Sequence, residues 1–304
     1  MKRVLVTGAT GFIGRHALPS LLERGFDVHA VARTRPPGEP AEGVFWHEID
    51  LLDVRRTNAL VGELEASHLL HLAWYAEHGK FWDARENLDW VAASLQLLRR
   101  FHDSGGRRAV IAGTCAEYDW AGNCCDDRTA LIPATLYGIS KNALRQVFEG
   151  YARSSGMSAA WGRIFFSYGP GEQPTRVIAS VARSLVSGET VHCTPGAQVR
   201  DFLYVEDVAA AFAALVDSDV AGTLDIGSGC GIALRDILQR LEQLAGRHDL
   251  VRFGEAPPRD EPARIVADTR RLRADLHWQP AYELDEGLER TLSWWRAAVA
   301  ARPE

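Results

Sequence analysis

The sequence predicts an α/β protein: a doubly wound parallel sheet carrying a smaller mixed α/β unit. Three observations predict it. Short β-branched runs alternate with longer amphipathic stretches through the first half of the chain, the pattern of βαβ units and a parallel sheet. The first of these runs ends in a spaced set of glycines. Past Tyr168 the texture changes to turn-rich segments between helices.

Taken in order, "RVLVTG" (3–8) is a strand ending at glycine, and "RHALPSLLERG" (15–25) has helical spacing with Gly25 as its stop. "DVHAVAR" (27–33) is the second strand, and "SHLLHLA" (67–73) and "RRAVIAG" (107–113) are two more. Between those two, Leu88, Val91, Leu95, Leu98 and Phe101 mark a helix over roughly 84–103. "LYGISKNALRQVFEGYA" (136–152) is a further helix. "YGPGEQP" (168–174) is a break, helices follow near 175–187, 205–217, 234–245 and 284–300, and "GEAPPRDEP" (254–262) is a loop. The expected division is a cofactor-binding part at 1–167 with a return at about 202–226, and a substrate part at about 168–201 and 227–304.

A chain of 304 residues can bury one large core or two unequal ones. With 46% hydrophobic and 24% charged residues and a net charge of −6, it lacks the basic stripe that nucleic-acid binding needs. "RRLR" (270–273) sits beside acidic neighbours and reads as a solvated helix face. No run approaches the ~18 apolar residues of a membrane helix. Glycines and threonines interrupt the N-terminal apolar run before it makes a signal segment. The five cysteines are odd in number and form no C-x-x-C. That favours reduced thiols in a cytoplasm over a disulfide framework or a zinc site. Cys124 and Cys125 are adjacent and are expected in a loop, and the ten histidines show no H-x-x-x-H spacing, so no metal is expected.

"TGATGFIG" (7–14) is G-x-x-G-x-x-G between a strand and a helix. Gly8 makes the tight turn, Gly11 lets the backbone approach a pyrophosphate, and Gly14 lets helix and strand pack closely. The helix N-terminus adds N–H groups and a positive dipole. This is the dinucleotide-binding arrangement of a Rossmann-type fold, and Thr10, Phe12 and Ile13 share the loop with the glycines. The second strand ends Ala30-Val31-Ala32-Arg33 with no acid for a ribose 2′-hydroxyl. Arg33, joined by Arg35, suits a 2′-phosphate, so NADP(H) is preferred and NAD(H) stays open. The alternative is that Arg33 stacks on adenine with either cofactor. Asp50, followed by Leu51, stands where it can meet adenine or cap the next helix.

"AGTCAEYDW" (112–120) offers a hydroxyl, a thiol, a carboxylate and a phenol within five positions, Thr114 to Tyr118. Tyr137 and Lys141 lie at i and i+4, on one helix face. A phenol with pKa of about 10 is a poor acid at neutral pH, and an ammonium beside it lowers that value.

The ordered set of TGATGFIG, "DL" at 50–51, "HLA" ending at Ala73, Thr114 and Tyr137-x-x-x-Lys141 resembles the extended short-chain dehydrogenase/reductase family, in particular its nucleotide-sugar branch. The resemblance continues through "YGPGE" (168–172), "VRDFLYVEDVA" (199–209) and "LHWQP" (276–280). It implies that Tyr137 moves the carbonyl proton, that Lys141 holds the nicotinamide ribose and tunes Tyr137, and that Thr114 bonds the substrate oxygen. It places Ala73 with the cofactor, and gives Tyr118 packing or substrate contact. Arg200 of "RDF" takes the substrate diphosphate, with Arg259 or Arg264 as a second arginine and Arg176 as a third; the alternative for Arg200 is an ion pair with Asp201 or Glu206. The segment 74–87 lines the sugar pocket or packs as a loop, and Asn87 supports the active-site water chain.

Departures from the family narrow the reaction. Dehydratases of this branch carry Asp-Glu after the threonine, where this chain has Cys115 and Ala116; Glu117 comes one residue late and is expected to face away. The C3/C5 epimerase-reductases have a histidine where Gly171 stands, and the C4-epimerases typically have Asn at the position of Phe166 and favour NAD. NADPH-dependent reduction of the C4 ketone of a nucleotide-activated 4-keto-6-deoxyhexose remains. A C4-epimerase holding NAD and a non-catalytic NADP(H)-sensing regulator are the alternatives. The resemblance further implies a homodimer formed through the helices after the fourth and fifth strands, with a nucleotide-diphosphate sugar as the small-molecule partner.

Overall fold

The structure, a computed structural model, describes residues 2–38, 41–120, 125–126, 128–258 and 261–301. Cys124 and Arg259 lie outside the described residues.

Strands β1 (Lys2–Thr7), β2 (Phe26–Ala32), β3 (Val44–Glu48), β4 (His68–His71), β5 (Arg108–Thr114) and β6 (Ser158–Ile164) are followed by β7 (Phe166–Tyr168), β8 (Val191–Cys193), β9 (Val199–Tyr204) and β10 (Gly222–Ile226). Seven of them form one parallel sheet in the order β10-β6-β5-β4-β1-β2-β3. Such a sheet is covered on both faces, which is why β5 is buried at every position.

One face carries helices α1 (Gly14–Glu23), packed through Leu18 and Leu21. The other carries α2 (Val54–Leu64), α3 (Glu86–Asp103) and α4 (Leu136–Ser155), packed through Leu60, Leu97, Phe101, Leu144 and Phe148. Helices α5 (Val177–Ser187) and α6 (Val205–Val216) follow; α6 returns to the α1 face through Val208, Phe212 and Leu215. The strand order reverses between β1 and β4. In doubly wound sheets the ligand crevice opens there, beyond the carboxyl ends of the strands.

The remaining elements gather around β9, which pairs with β7, with β11 (Gly231–Ala233) and with β13 (Arg264–Ile265); β12 (Val251–Phe253) pairs with β8. Helices α5, α7 (Leu234–Leu244) and α9 (Leu284–Ala300) enclose a second core of Ile178, Leu185, Ile237, Leu241, Leu288, Leu292 and Trp295, and α8 is the short Arg270–Ala274. All of β9 stays with the small sheet, and Tyr204, its last residue, is the N-cap of α6, so the chain crosses over without a loop. No helix among the described residues is long and apolar enough to cross a membrane.

Candidate active site

The glycine loop sits at the reversal between β1 and β4. Gly11 N donates to Gly8 O at 2.9 Å, closing the turn. Gly8 has φ +69°, and a Cβ there would lie 2.8 Å from Ala73 N. A Cβ on Gly14 would lie 2.1 Å from Gly8 O, so no other residue fits without moving the backbone. Helix α1 has no side-chain cap, and Ile13 is its N-cap, so no side chain covers the helix N-terminus that faces the loop. The residues present therefore fit a dinucleotide pyrophosphate. Thr10 is exposed on the loop, Phe12 stands edge-on to His16, and Ile13 packs against the core.

Arg15 follows the third glycine and was not singled out by the sequence reasoning. Its guanidinium donates to Gly11 O at 3.2 Å and Thr10 O at 3.1 Å, a cation at the mouth of the loop. Thr7 Oγ1 contacts His71 Nδ1 at 2.7 Å and accepts from Ala73 N at 3.3 Å, while His71 Nε2 meets Ser94 Oγ at 2.8 Å. Burial, with Lys141 adding, pulls His71 down to about 3, so this brace is uncharged at neutral pH.

Arg33 and Arg35 are exposed just past β2, and Arg35 N donates to Glu48 at 3.3 Å. Asp50 is exposed and caps no helix. Its carboxylate accepts Leu52 N at 3.0 Å, and Asp53 is the N-cap of α2, accepting Arg56 N at 3.1 Å. Leu51 packs half-buried against the α2 core.

Thr114 ends β5 and caps the single 3₁₀ turn Cys115–Glu117. Thr135 caps α4 by accepting Gly138 N at 3.2 Å. A Cβ on Gly138 would lie 2.3 Å from Ala116 O. That close approach brings α4 onto the turn, where the Thr114 side chain acts to lower the pKa of the Tyr137 phenol. Tyr137 N donates to Trp82 O at 2.8 Å. Phe81 and Trp82 stand edge-on to its ring at 4.9 and 5.9 Å, and Trp120 meets Trp82 at 6.2 Å. Buried Phe81 and half-buried Trp82 therefore wall the phenol. Trp74 Nε1 donates to Asn87 Oδ1 at 2.8 Å, and Asn87 Nδ2 donates to Phe81 O and Ala84 O, both at 2.8 Å. Asn87 is thus the brace of the 74–87 segment, with its amide committed to that loop.

Lys141 is buried, its Nζ 2.9 Å from Ala112 O and 3.9 Å above the Trp74 ring. Burial pulls its pKa down to about 7, opposed by Glu117. Burial also pushes the Tyr137 phenol above its usual range, and the Thr114 side chain pulls it back. The Lys141 ammonium is turned to a carbonyl and an indole face. Arg176, half-buried at the N-cap of α5, is the cation that favours the phenolate. It also reaches Glu172 at 3.4 Å, a carboxylate that burial pushes up to about 7.

The other groups of the Thr114–Tyr118 stretch are buried or bonded to neighbours. Burial pushes the Cys115 thiol far up, so it is neutral. Glu117 is wholly buried against Trp161 and Arg163. Tyr118 donates to Asp225 at 2.9 Å and accepts from Arg163 at 3.1 Å, a packed position within the fold. Arg200 is buried and ion-paired to Glu261 at 2.7 Å. Neither Asp201 nor Glu206 is its partner: Asp201 accepts Ser228 N, Gly229 N and Ala267 N, and Glu206 accepts the Tyr282 hydroxyl. Arg264 is exposed at the start of β13.

A family model described as the NAD dependent epimerase/dehydratase family matches residues 4–227. The CDP-abequose synthase of Salmonella typhimurium is 27% identical over 95% of this chain and 97% of that enzyme. The dTDP-4-dehydro-6-deoxyglucose reductase of Escherichia coli is 22% identical over 95% of this chain and 96% of that enzyme. Among solved structures, the Thermus thermophilus UDP-glucose 4-epimerase in complex with NAD is 28% identical, with a TM-score of 0.85 over 97% of this chain and 99% of that one.

Proposed function

This chain belongs to the NAD dependent epimerase/dehydratase family, and from that premise we propose that it is an NADPH-dependent reductase of the C4 ketone of a nucleotide-activated 4-keto-6-deoxyhexose. The nucleotide-sugar enzymes among its relatives support the broader reading of an enzyme acting on nucleotide sugars. The observation that carries the finer one is that α4 packs onto the Thr114 turn, with Gly138 against Ala116 O and Thr114 acting on the Tyr137 phenol, and with Cys115 and Ala116 where a dehydratase acid and base would stand.

When bound, the nicotinamide cofactor supplies hydride to C4. Tyr137 donates its proton to the C4 oxygen as that oxygen becomes an alkoxide, so ketone, hydride and proton balance to the alcohol. Thr114 orients the oxygen. A phenol kept protonated by burial suits a proton donor. Lys141 holds the nicotinamide ribose. Phe81, Trp82 and Trp120 offer an apolar wall that suits a C6 methyl group. Arg176 and Arg200 serve the diphosphate, with Arg200 exchanging Glu261 for phosphate oxygens. Two copies pair through α3 and α4, where Leu88, Ile139 and Val147 are exposed.

The test is NADPH oxidation against 4-keto-6-deoxy sugars carried on dTDP, CDP, GDP and UDP. Oxidation with none of them while C4 epimers interconvert would replace this reading by the C4-epimerase, which has the NAD of the Thermus thermophilus neighbour in its favour. Cofactor binding without turnover on any nucleotide sugar would leave the NADP(H)-sensing regulator.

The cofactor preference is tested at Arg33. Losing charge-assisted hydrogen bonds to a 2′-phosphate costs about 1.5–3 kcal/mol, about tenfold to a hundredfold in affinity. Arg33→Ala is expected to weaken NADPH by that factor and leave NADH nearly unchanged. Equal losses for both cofactors by titration would reject the 2′-phosphate role.

A further inference from the structure

We propose that Glu117 is a positioning residue for the reaction: one buried carboxylate both fixes Thr114 and sets the charge that Tyr137 and Lys141 face. The inference rests on the reading of Tyr137 as the proton donor.

The geometry is that of a capping box folded around the catalytic threonine. Thr114 N donates to Glu117 Oε1 at 2.9 Å, while Thr114 Oγ1 accepts Ala116 N at 3.2 Å. The 3₁₀ turn is therefore braced by two reciprocal bonds, and these fix the backbone and side chain of Thr114. The carboxylate itself is anchored from β6: Trp161 Nε1 donates to Oε1 at 2.9 Å and Arg163 Nε to Oε2 at 2.8 Å. The backbone makes room for it. A Cβ on Gly113 would lie 2.0 Å from Trp161 Nε1 and 2.5 Å from Glu117 Oε1.

Capping alone needs no charge this deep, since a neutral amide accepts the same N–H. Burying a carboxylate is costly unless it is paired, and here it acts on both working groups. Its charge favours the protonated forms of Tyr137 and Lys141. That is the direction a proton donor needs. The other groups facing Tyr137 are the neutral Cys115 thiol and Arg176. Lys141 also faces His71, Ala112 O and the Trp74 ring. Glu117 faces Arg163, with Arg145 at 3.7 Å. Behind Arg163 stand Tyr118 and Asp225, the latter pushed up to about 7 by burial.

The test uses three variants with NADPH and the sugar nucleotide that the panel selects, measuring kcat and the pH profile of kcat/KM. Glu117→Gln keeps an acceptor for Thr114 N and removes the charge; the alkaline limb is expected to move down by on the order of one pH unit. Glu117→Asp keeps the charge but falls short of Thr114 N; kcat is expected to drop about tenfold with the limb in place. Arg145→Gln removes a second cation 3.7 Å from Glu117 and is expected to move the limb up; if Glu117→Gln does not fold, Glu117→Asp carries the test by its loss of kcat at an unmoved limb. A purely structural role for Glu117 would lower melting temperature and leave every limb at the wild-type pH, which overturns the proposal. Tyr137→Phe run in parallel separates the two failures: if it stays active, the donor assignment falls; if it is inactive while the limbs stand still, only the role of Glu117 falls.

Discussion

Tyr137→Phe is expected to lower kcat by about two to four orders of magnitude with NADPH affinity unchanged, the range a positioned general acid contributes. The substitution is close to a deletion of one atom. The ring keeps its edge contacts to Phe81 and Trp82, and the backbone N–H keeps Trp82 O at 2.8 Å. What is lost is the hydroxyl itself, whose pKa the Thr114 side chain lowers. The glycine loop lies on another part of the crevice and is untouched, so a fluorescence titration with NADPH should match wild type. Retained turnover with unchanged cofactor binding would mean that the proton comes from another group.

Lys141→Met is expected to move activity and stability in opposite directions. Turnover should fall below detection because the ammonium that holds the ribose is gone. The cofactor-free protein should become more stable, by on the order of 2 kcal/mol at pH 7. The reason is the drop of the buried ammonium from its usual 10.5 to about 7, caused by desolvation. The unfolded chain binds that proton more tightly than the folded chain, so wild-type stability rises with pH between about 7 and 10.5. The advantage of the variant is therefore fullest at and below pH 7 and shrinks toward pH 10. Methionine gives up the Ala112 hydrogen bond and the contact with Trp74, which keeps the gain below the whole desolvation cost. Denaturant melts at pH 6.5 and pH 10 would check it; a variant less stable than wild type at both would show that those two contacts outweigh desolvation.

The sequence carried the cofactor loop well because its constraints are local. Gly8, Gly11 and Gly14 are demanded by backbone approach within seven positions. Tyr137 and Lys141 were legible for a similar reason: one turn of one helix sets their common face. What the sequence could not show were partners supplied by distant segments. Arg200 pairs with Glu261, which reaches it from the loop before β13. Tyr118 finds Asp225 on β10, and Glu117 finds Trp161 and Arg163 on β6. The i+4 spacing of Tyr137 and Lys141 left out the partners of the ammonium, Ala112 O and the Trp74 ring, and the burial that dominates the phenol. Asp50 as a helix cap failed over three residues, because Asp53 stands closer to the start of α2.

The central claim is net reduction at C4. The most direct measurement follows NADPH consumption and sugar product together, using protein as purified and a 4-keto-6-deoxyhexose on each nucleotide. The account predicts that NADPH and the ketone disappear in equal amounts, that the product is a single C4 alcohol, and that no turnover occurs without added NADPH. Interconversion of C4 epimers by protein that carries its own NAD, with added NADPH left unconsumed, would contradict it.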